Sequence, residues 1–329
     1  MRFVFLMDPI ESVKARTDTS FIFMIGAQRH NHEIWFCATR NISILDGKVH
    51  MNAQKLRAIE PAGLYDLDGT ENPSCPFEVL ESRTLIDDEI DAVFIRTDPP
   101  FDSGYLMNTW MLDHLPPTSA VINSPQAIRD VNEKVWCSRF TEFTPRTLIT
   151  ADMDLYLKFL DEEKQVIVKP CDGFGGAGIF RIEQGKANAR VAFETLSNRG
   201  QEEVIVQAYV KEASQGDKRI LLLNGEILGA VLRVHGADDH RNNFYAGGSA
   251  VACEITDREK EICAALKPCL QEKGLYFTGI DFLGDKLTEV NVTSPTCMQE
   301  MNRLYDLKLE DTVIAFVEKL IISKRNSNA

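Results

Sequence analysis

The residues from Val166 to Phe180, VIVKPCDGFGGAGIF, combine a basic side chain with four glycines. Val166, Ile167 and Val168 read as a short buried strand that stops at Lys169-Pro170. The loop after it carries Gly173, Gly175, Gly176 and Gly178, and Ile179-Phe180-Arg181-Ile182 begins another strand-like run. Glycines let a backbone approach an anion closely and turn its N–H groups toward it, so this loop suits a polyphosphate. Lys169, at the end of the strand, reaches the same phosphates. Gly173, Gly175 and Gly178 also spell G-x-G-x-x-G, but a dinucleotide site needs a helix directly after the loop. β-Branched and aromatic residues follow instead, and no helical period starts before about Asn188. A strand–loop–strand hairpin folding over phosphates is expected.

The second stretch with chemical content is TGIDFLGDKLTEVNV at 278–292. Glu289 and Asn291 lie two apart on one strand and share a face. Whether Asp281 joins them depends on the turn. A two-residue turn at Gly284-Asp285 pairs Asp281 with Thr288 and sends Glu289 to the opposite face. A three-residue turn, Gly284 to Lys286, sets Asp281 across from Glu289, and this is the arrangement expected. It makes an all-oxygen trio, the donor set that holds Mg²⁺ with phosphates and waters completing the octahedron. The alternation with Ile280, Phe282, Val290 and Val292 argues against a hairpin that merely displays solvated acids.

The elements that must position these groups fall in a recognisable order. At 329 residues the chain has room for two domains and a third small one. Residues 1–123 alternate strand and helix: strand Arg2–Met7, N-cap chemistry at Thr17 to Ser20 before a helix running to His32, strand Glu33–Ala38, and a tight hairpin at Ile44–Val49. Residues 61–82 look like an irregular insertion. Strand 92–96, helix 104–115 and strand 120–123 complete a small parallel α/β layer. Asp8, Arg96 and Asn123 each follow a strand, where such sheets bind ligands.

From 124 to 203 a small lid domain is expected: a helical period over Pro125–Arg139, strand 144–149, helix 151–163, the glycine hairpin and helix 188–199. Residues 204–329 form the third part. It holds strand 204–210, strands 219–223 and 226–234 around Asn224-Gly225, a loop at 235–250, helix 256–273, the acidic hairpin and a last helix at 309–323.

The net charge of −13 gives no electrostatic footprint for nucleic acid, and makes local clusters of Lys and Arg more informative. No apolar run reaches the roughly 20 residues that span a bilayer. The N-terminal MRFVFLMDPI reads as a first strand, not a signal peptide. Eight cysteines without a C-x-x-C pair point to reduced thiols and a cytoplasmic protein.

Taken together, MDPI near the start, RTDPPFD at 96–102, NSPQAIRDVNEK at 123–134, VKPCDGFGGAGIFR at 168–181, GDKR at 216–219 and TGIDFLGDKLTEVNVTSPT at 278–296 resemble the bacterial glutathione synthetases of the ATP-grasp superfamily. The resemblance runs over nearly the whole chain, and the last motif is the most specific. It implies an N-terminal open α/β domain followed by an ATP-grasp body whose lid clamps ATP between two sheets. The implied reaction is phosphorylation of the C-terminal carboxylate of γ-glutamylcysteine by ATP, followed by displacement of phosphate by glycine. Lys134 and Lys169 would hold ATP together with the loop glycines Gly173, Gly175 and Gly176. Gln207, Ala208, Tyr209 and Val210 would meet the adenine, and Asp217 the ribose. Asp281, Glu289 and Asn291 would ligate Mg²⁺, for which Mn²⁺ can stand in. Arg219, Arg233 and Arg241 would contact substrate and the transferring phosphate. A homotetramer is implied more weakly.

One departure is visible. The family usually carries more glycine and a further basic residue in the loop at 235–250, where this chain has Gly236-Ala237-Asp238-Asp239, and Ser249 after Gly247-Gly248. Three rival readings make different demands. Another carboxylate–amine ligase would share the chemistry, a non-catalytic nucleotide-binding regulator would not need metal ligands, and a nicotinamide dehydrogenase would need a helix after Gly178.

Overall fold

The computed structural model describes residues 1–173, 175–234 and 249–328. Three sheets carry the chain. The first holds β1 (Arg2–Met7), β2 (Glu33–Ala38), β3 (Ile42–Leu45), β4 (Lys48–Ala58), β5 (Phe77–Ile86), β6 (Ala92–Ile95) and β7 (Ala120–Ile122), in the order β3-β4-β2-β1-β6-β7 with β5 on β4. The second, of four strands, holds β8 (Thr147–Thr150), β9 (Gln165–Pro170), β10 (Phe180–Glu183) and β11 (Val204–Ala208), in the order β10-β9-β11-β8. The third, of five, holds β12 (Asp217–Leu223), β13 (Glu226–Val234), β14 (Ser249–Val251), β15 (Phe277–Leu283) and β16 (Lys286–Asn291), in the order β14-β13-β12-β15-β16.

Only part of the first sheet is the parallel layer expected. β2, β1, β6 and β7 run parallel, whereas β3, β4 and β5 pair antiparallel. The irregular insertion expected over 61–82 ends at Cys75-Pro76. Beyond it, β5 runs beside β4 with six of its ten residues exposed. A strand with so little burial has no apolar alternation to read, and cross-strand pairs such as Arg57 with Glu78 hold it.

Helices α1 (Thr19–Arg29) and α2 (Ser103–Leu112) begin at Asp18 and Asp102, each accepting a hydrogen bond from a first-turn amide. α1 is shorter than expected because Asn31 takes a left-handed φ of 60°. The helix expected over 125–139 divides. α3 (Pro125–Asp130) stops at Val131, and Asn132 Oδ1 accepts the amides of Lys134 (3.0 Å) and Val135 (2.8 Å). That side-chain turn competes with the helical ladder and aims Lys134 out of the helical path. α4 (Met153–Glu163) and α5 (Ala189–Leu196) cover the second sheet, and α6 (Asp257–Lys273) starts on a Thr256–Glu259 capping box. α7 (Met298–Tyr305) and α8 (Leu309–Ser327) return to pack on α1.

The cores follow the sheets unequally. The second sheet has its own cluster, built from Tyr156, Phe159, Val166, Val168, Phe193, Val204 and Val206. β11 lies between β9 and β8, so the boundary expected between 203 and 204 passes through this sheet. One apolar cluster joins Phe5 and Phe23 of the N-terminal layer to Leu221, Val231, Met301, Val313 and Ile314 of the C-terminal part.

Asn123 follows β7 as expected, but its side chain is taken up by backbone groups of the third sheet's end. Its buried amide donates to the carbonyls of Phe277 (2.8 Å) and Val292 (2.7 Å), and its Oδ1 accepts the Phe277 amide (2.7 Å). It bolts the first sheet to the third. Asn123→Ala should leave three buried backbone groups unpartnered and lower stability by about 2–4 kcal/mol. Urea denaturation checks this, and an unchanged midpoint would show the joint to be dispensable.

Candidate active site

The third sheet presents a charged ladder on one face near the start of β12. Arg219 on β12 stands directly opposite Asp281 on β15, Asp281 opposite Glu289 on β16, and Gly279 opposite Asn291. On the other side Asp217 stands opposite Arg233 of β13. Along β12 the same face turns apolar at Leu221 and Leu223, which belong to the large shared core.

The acidic hairpin reaches the expected register by a different route. Its turn has two residues, Gly284 and Asp285, since Leu283 pairs with Lys286 and Phe282 with Leu287. A bulge then inserts Thr288, so Asp281 still faces Glu289; the Thr288 hydroxyl donates to the Asp281 carbonyl at 3.0 Å. Gly279 is needed for the fit. A Cβ there would lie 2.9 Å from the Pro295 Cβ and 3.4 Å from Arg219 Nε.

These groups neutralise one another closely. Arg219 grips Asp281 with two hydrogen bonds of 2.7 and 2.6 Å, and Arg233 grips Asp217 with two of 2.8 and 2.5 Å. Arg233 also reaches Asp281 Oδ2 at 3.0 Å, and Asn291 Nδ2 lies 3.3 Å from the same oxygen. Burial pushes the Asp281 carboxyl up, but the two guanidinium groups more than reverse that and hold it below the usual range. Burial dominates for Asp217 and pushes it up despite Arg233.

The second sheet supplies the facing wall. Val166 and Val168 point into that sheet's core, so Lys169 points the other way, toward the third sheet. β10 follows the glycine loop as the sequence pattern requires, which removes the dehydrogenase reading. Gly175 and Gly176 hold φ of 61° and 76°, values that side-chain-bearing residues seldom adopt. Cys171 Sγ donates to the Glu203 carbonyl at 3.4 Å, and burial raises its pKa, as suits a packing residue.

The two lysines differ in state. Lys134 Nζ is 2.6 Å from Glu289 Oε1 and 2.5 Å from the Gly173 carbonyl, tying the loop to the acidic hairpin. Burial lowers its pKa, but Glu289 turns the balance and raises it. Lys169 is buried and, among the described residues, has no carboxylate in ion-pair reach; its partner is Gln207 Oε1 at 3.4 Å. Burial lowers its pKa, with Glu289 opposing and Lys134 reinforcing.

A cavity of about 210 Å³ lies between the sheets, and Lys134, Lys169, Gly173, Gly175, Gly176, Asp217, Arg219, Arg233, Asp281, Glu289 and Asn291 all line it. Gln207, Ala208, Tyr209 and Val210 do not. They continue from β11, with Gln207 touching Lys169 and the Tyr209 ring lying 4.3 Å under the Arg181 guanidinium. Arg241 and the loop expected at 235–250 fall, up to residue 248, outside the described residues.

Sequence reasoning passed over Glu133 and Asp98. Glu133 Oε1 accepts from the amides of Val292 (2.8 Å) and Thr293 (3.0 Å) and from the Thr293 hydroxyl (2.8 Å), and lines the cavity. Its position beside Lys134 was the available signal. Asp98, with Ser294 and Thr296, also borders a second cavity of about 820 Å³. Asp8 and Arg96 line that one, as their strand-end positions suggest, together with Asp18, Lys14, Glu300 and Arg303.

Lys169 on the second sheet and Lys134 on the turn after α3 face a carboxylate–amide trio on the third sheet, an arrangement that fits the ATP-grasp class of fold. Two solved structures share it. D-cycloserine synthetase DcsG superposes with a TM-score of 0.64 at 14% identity, covering 96% of this chain and all (100%) of that one. The ATP-grasp ligase PsnB, complexed with minimal precursor, Mg and ADP, gives 0.58 at 16% identity, with 98% of both chains covered. The sequence narrows the class further. Residues 1–129 match the N-terminal domain of prokaryotic glutathione synthetase and residues 133–306 its ATP-grasp domain. A glutathione synthetase of Nostoc sp. is 39% identical over 321 residues, covering 97% of this chain and 98% of the relative. The chain belongs to the prokaryotic glutathione synthetase family.

A buried ammonium without a counter-ion weakens a fold that lacks its ligand. Lys169→Met should therefore raise the denaturation midpoint, worth about 0.5–2 kcal/mol, while abolishing nucleotide binding. The depressed pKa sets the pH dependence. The unfavourable charge is fully present below the folded pKa and fades as pH rises toward the ordinary 10.5, so the gain should shrink over that window. A lower midpoint at neutral pH would show that the ammonium stabilises the empty cleft.

Proposed function

We propose that the chain is an ATP-dependent ligase that joins γ-glutamylcysteine to glycine, releasing ADP and phosphate. The observation that carries this reading is the convergence of Lys134, Lys169, Arg219 and Arg233 on one cavity that also holds Asp281, Glu289 and Asn291. A carboxylate is a poor electrophile, and bringing a triphosphate to it sets two anions together. A single charge pair at 4 Å is worth roughly 4 kcal/mol at an effective dielectric of 20, so several cations are needed. Lys169 and Lys134 hold the phosphates, with the amides of the Gly173–Gly176 loop closing over them. Gln207 to Val210 flank the adenine and Asp217 meets the ribose.

The acid substrate occupies the 820 Å³ cavity, which meets the phosphate cleft at Asp98, Ser294 and Thr296. Its walls carry both signs of charge, as a γ-glutamyl group with an amino and a carboxylate end requires. Among its lining atoms, Thr19 Oγ1 and Glu300 Oε2 are buried and have no hydrogen-bond partner among the described residues. The substrate carboxylate oxygen attacks the γ-phosphorus and the β–γ oxygen bridge breaks, giving an acyl phosphate and ADP. The glycine amine then adds to the acyl carbon, and the tetrahedral oxyanion collapses with loss of phosphate. Arg219 and Arg233 are the donors for that oxyanion and the transferring phosphoryl group, with Arg241 joining them.

The oxygen donors of Asp281, Glu289 and Asn291 fit Mg²⁺, and Mn²⁺ by the same hardness. When bound, the ion neutralises charge on the β- and γ-phosphates. A cytoplasmic setting agrees with eight free cysteines, and a homotetramer is the assembly we favour. Among the described residues no helix is long and apolar enough to cross a membrane.

Incubation with ATP, Mg²⁺, γ-glutamylcysteine and glycine should release ADP and phosphate with formation of the tripeptide. Turnover with a different acid–amine pair alone would transfer the chain to another carboxylate–amine ligase, and ATP binding without turnover would make it a regulator. Glu289→Gln should raise the Mg²⁺ concentration for half-maximal rate by about 10–100-fold with the fold intact. Equal metal curves would remove Glu289 from the metal site. The KM for ATP should rise with pH before the ordinary lysine value of 10.5, because Lys169 loses its proton early. Lys169→Arg should move that limb to higher pH, and an unmoved limb would assign it to another group.

A further inference from the structure

Away from the cleft, two imidazoles and a carboxylate meet where α1 ends and α8 passes. His30 is the C-cap of α1, and His32 lies just before β2. Glu318 is in the middle of α8. His30 Nδ1 is 3.2 Å and His32 Nε2 2.7 Å from the same oxygen, Glu318 Oε1. One ligand atom from each residue falls within 4.8 Å of the others. We propose that His30, His32 and Glu318 form a binding site for a divalent transition ion of the zinc class, distinct from the magnesium site of the cleft.

Geometry and chemistry both point this way. A tetrahedral ion with bonds of about 2.0–2.1 Å separates neighbouring ligands by roughly 3.3 Å, so His30 and Glu318 already stand at ligand spacing and His32 needs to retreat by about half an ångström. Imidazole nitrogen with one carboxylate selects zinc, cobalt, nickel or copper over magnesium or calcium. The two backbone segments are constrained. Asn31, between the histidines, holds a left-handed φ of 60°, which brings two side chains two residues apart to one point. The His32 ring packs 4.4 Å from that of Phe3, and its side chain is only 8% exposed.

The outer partners complete the arrangement. On the far side of the His30 ring, Asp311 Oδ1 lies 3.8 Å from Nε2, the place of a carboxylate that orients a metal-bound imidazole. Asp311 is itself fixed by Arg29 at 2.7 and 3.2 Å. His32 Nδ1 faces the Met1 amino group at 3.4 Å. His30 and Glu318 remain over a quarter exposed, leaving an ion a way in. A bound ion would clamp the C-terminal helix to the N-terminal layer, and so raise thermal stability by an amount that grows with the logarithm of the ion concentration above its dissociation constant.

The test is titration of the full chain with Zn²⁺ and Co²⁺, followed by calorimetry, the visible absorption of cobalt, and the melting temperature. The expected result is one ion per chain at this site, a cobalt spectrum of nitrogen–oxygen character, and a melting temperature that rises with the metal. His30→Gln and Glu318→Gln should each weaken binding by about tenfold or more, and Asp311→Asn by about tenfold. All three should keep the ligase rate of the parent chain. Glu289→Gln, at the cleft, should leave this zinc affinity unchanged, which separates the two metal sites, and the free cysteines would betray themselves by a sulfur-to-cobalt charge-transfer band. Zinc affinity equal in the parent chain, His30→Gln and Glu318→Gln, or no uptake beyond what Glu289→Gln abolishes, would overturn the assignment. Circular dichroism of each variant guards against loss of fold, and His32→Gln repeats the test at the remaining ligand.

Discussion

Two guanidinium groups and two carboxylates, Arg219, Arg233, Asp217 and Asp281, leave water together at the floor of the cleft. None could do so alone. Removing one member of a buried pair typically costs about 3–5 kcal/mol, because the partner stays buried and uncompensated. The four are aligned by strand register before any side chain chooses a rotamer, since Arg219 faces Asp281 and Asp217 faces Arg233 across the ladder. The rest of the site is arranged around that fixed lattice of charge. Lys134 completes it by joining Glu289, and Lys169 is the cation that the lattice leaves without an anion.

That exception has a physical meaning. A cleft whose cations were all satisfied would have to break an ion pair for each phosphate it accepted. A cleft with all of them unpaired would not hold together empty. Here the arginines and Lys134 are compensated, and the one uncompensated ammonium sits on the sheet that carries the glycine loop. Burial without a facing anion is what lowers its pKa. A polyphosphate would supply that anion.

Much of this was legible from residues alone, for reasons that differ by element. The glycine loop between two strands could be read because positive φ and close approach leave few alternatives to glycine. The partnership of Asp281 and Glu289 was legible, but not its mechanism: a bulge at Thr288, which no periodicity announces, does what a longer turn was expected to do. Local competition misled elsewhere. The 125–139 stretch keeps a helical period, yet the Asn132 side chain captures two amides and ends the helix where Lys134 must turn inward. β5 hid because an exposed edge strand held by polar pairs has no apolar face to count. Asn123 showed its chemistry but not its place, since a strand-end amide looks the same whether it meets a ligand or two backbone carbonyls.

The division of the core adds the last constraint. Glu310, fully buried, takes hydrogen bonds from Asn302 and Tyr65 and an ion pair from Arg29, so the last helix is held to the first by charge as well as by packing. With Phe23, Met301, Val313 and Ile314 in one apolar cluster, the first and third sheets form a single support for the charged ladder. The second sheet shares no residue with that cluster, and among the described residues hydrogen bonds tie its glycine loop to the cleft floor, from Asn132 to the Cys171 carbonyl and from Lys134 to the Gly173 carbonyl. Separating surfaces joined by a few hydrogen bonds costs far less than dividing a packed core. The wall that carries Lys169 is therefore the one that can yield to admit a nucleotide, while the wall that carries Asp281 keeps its register.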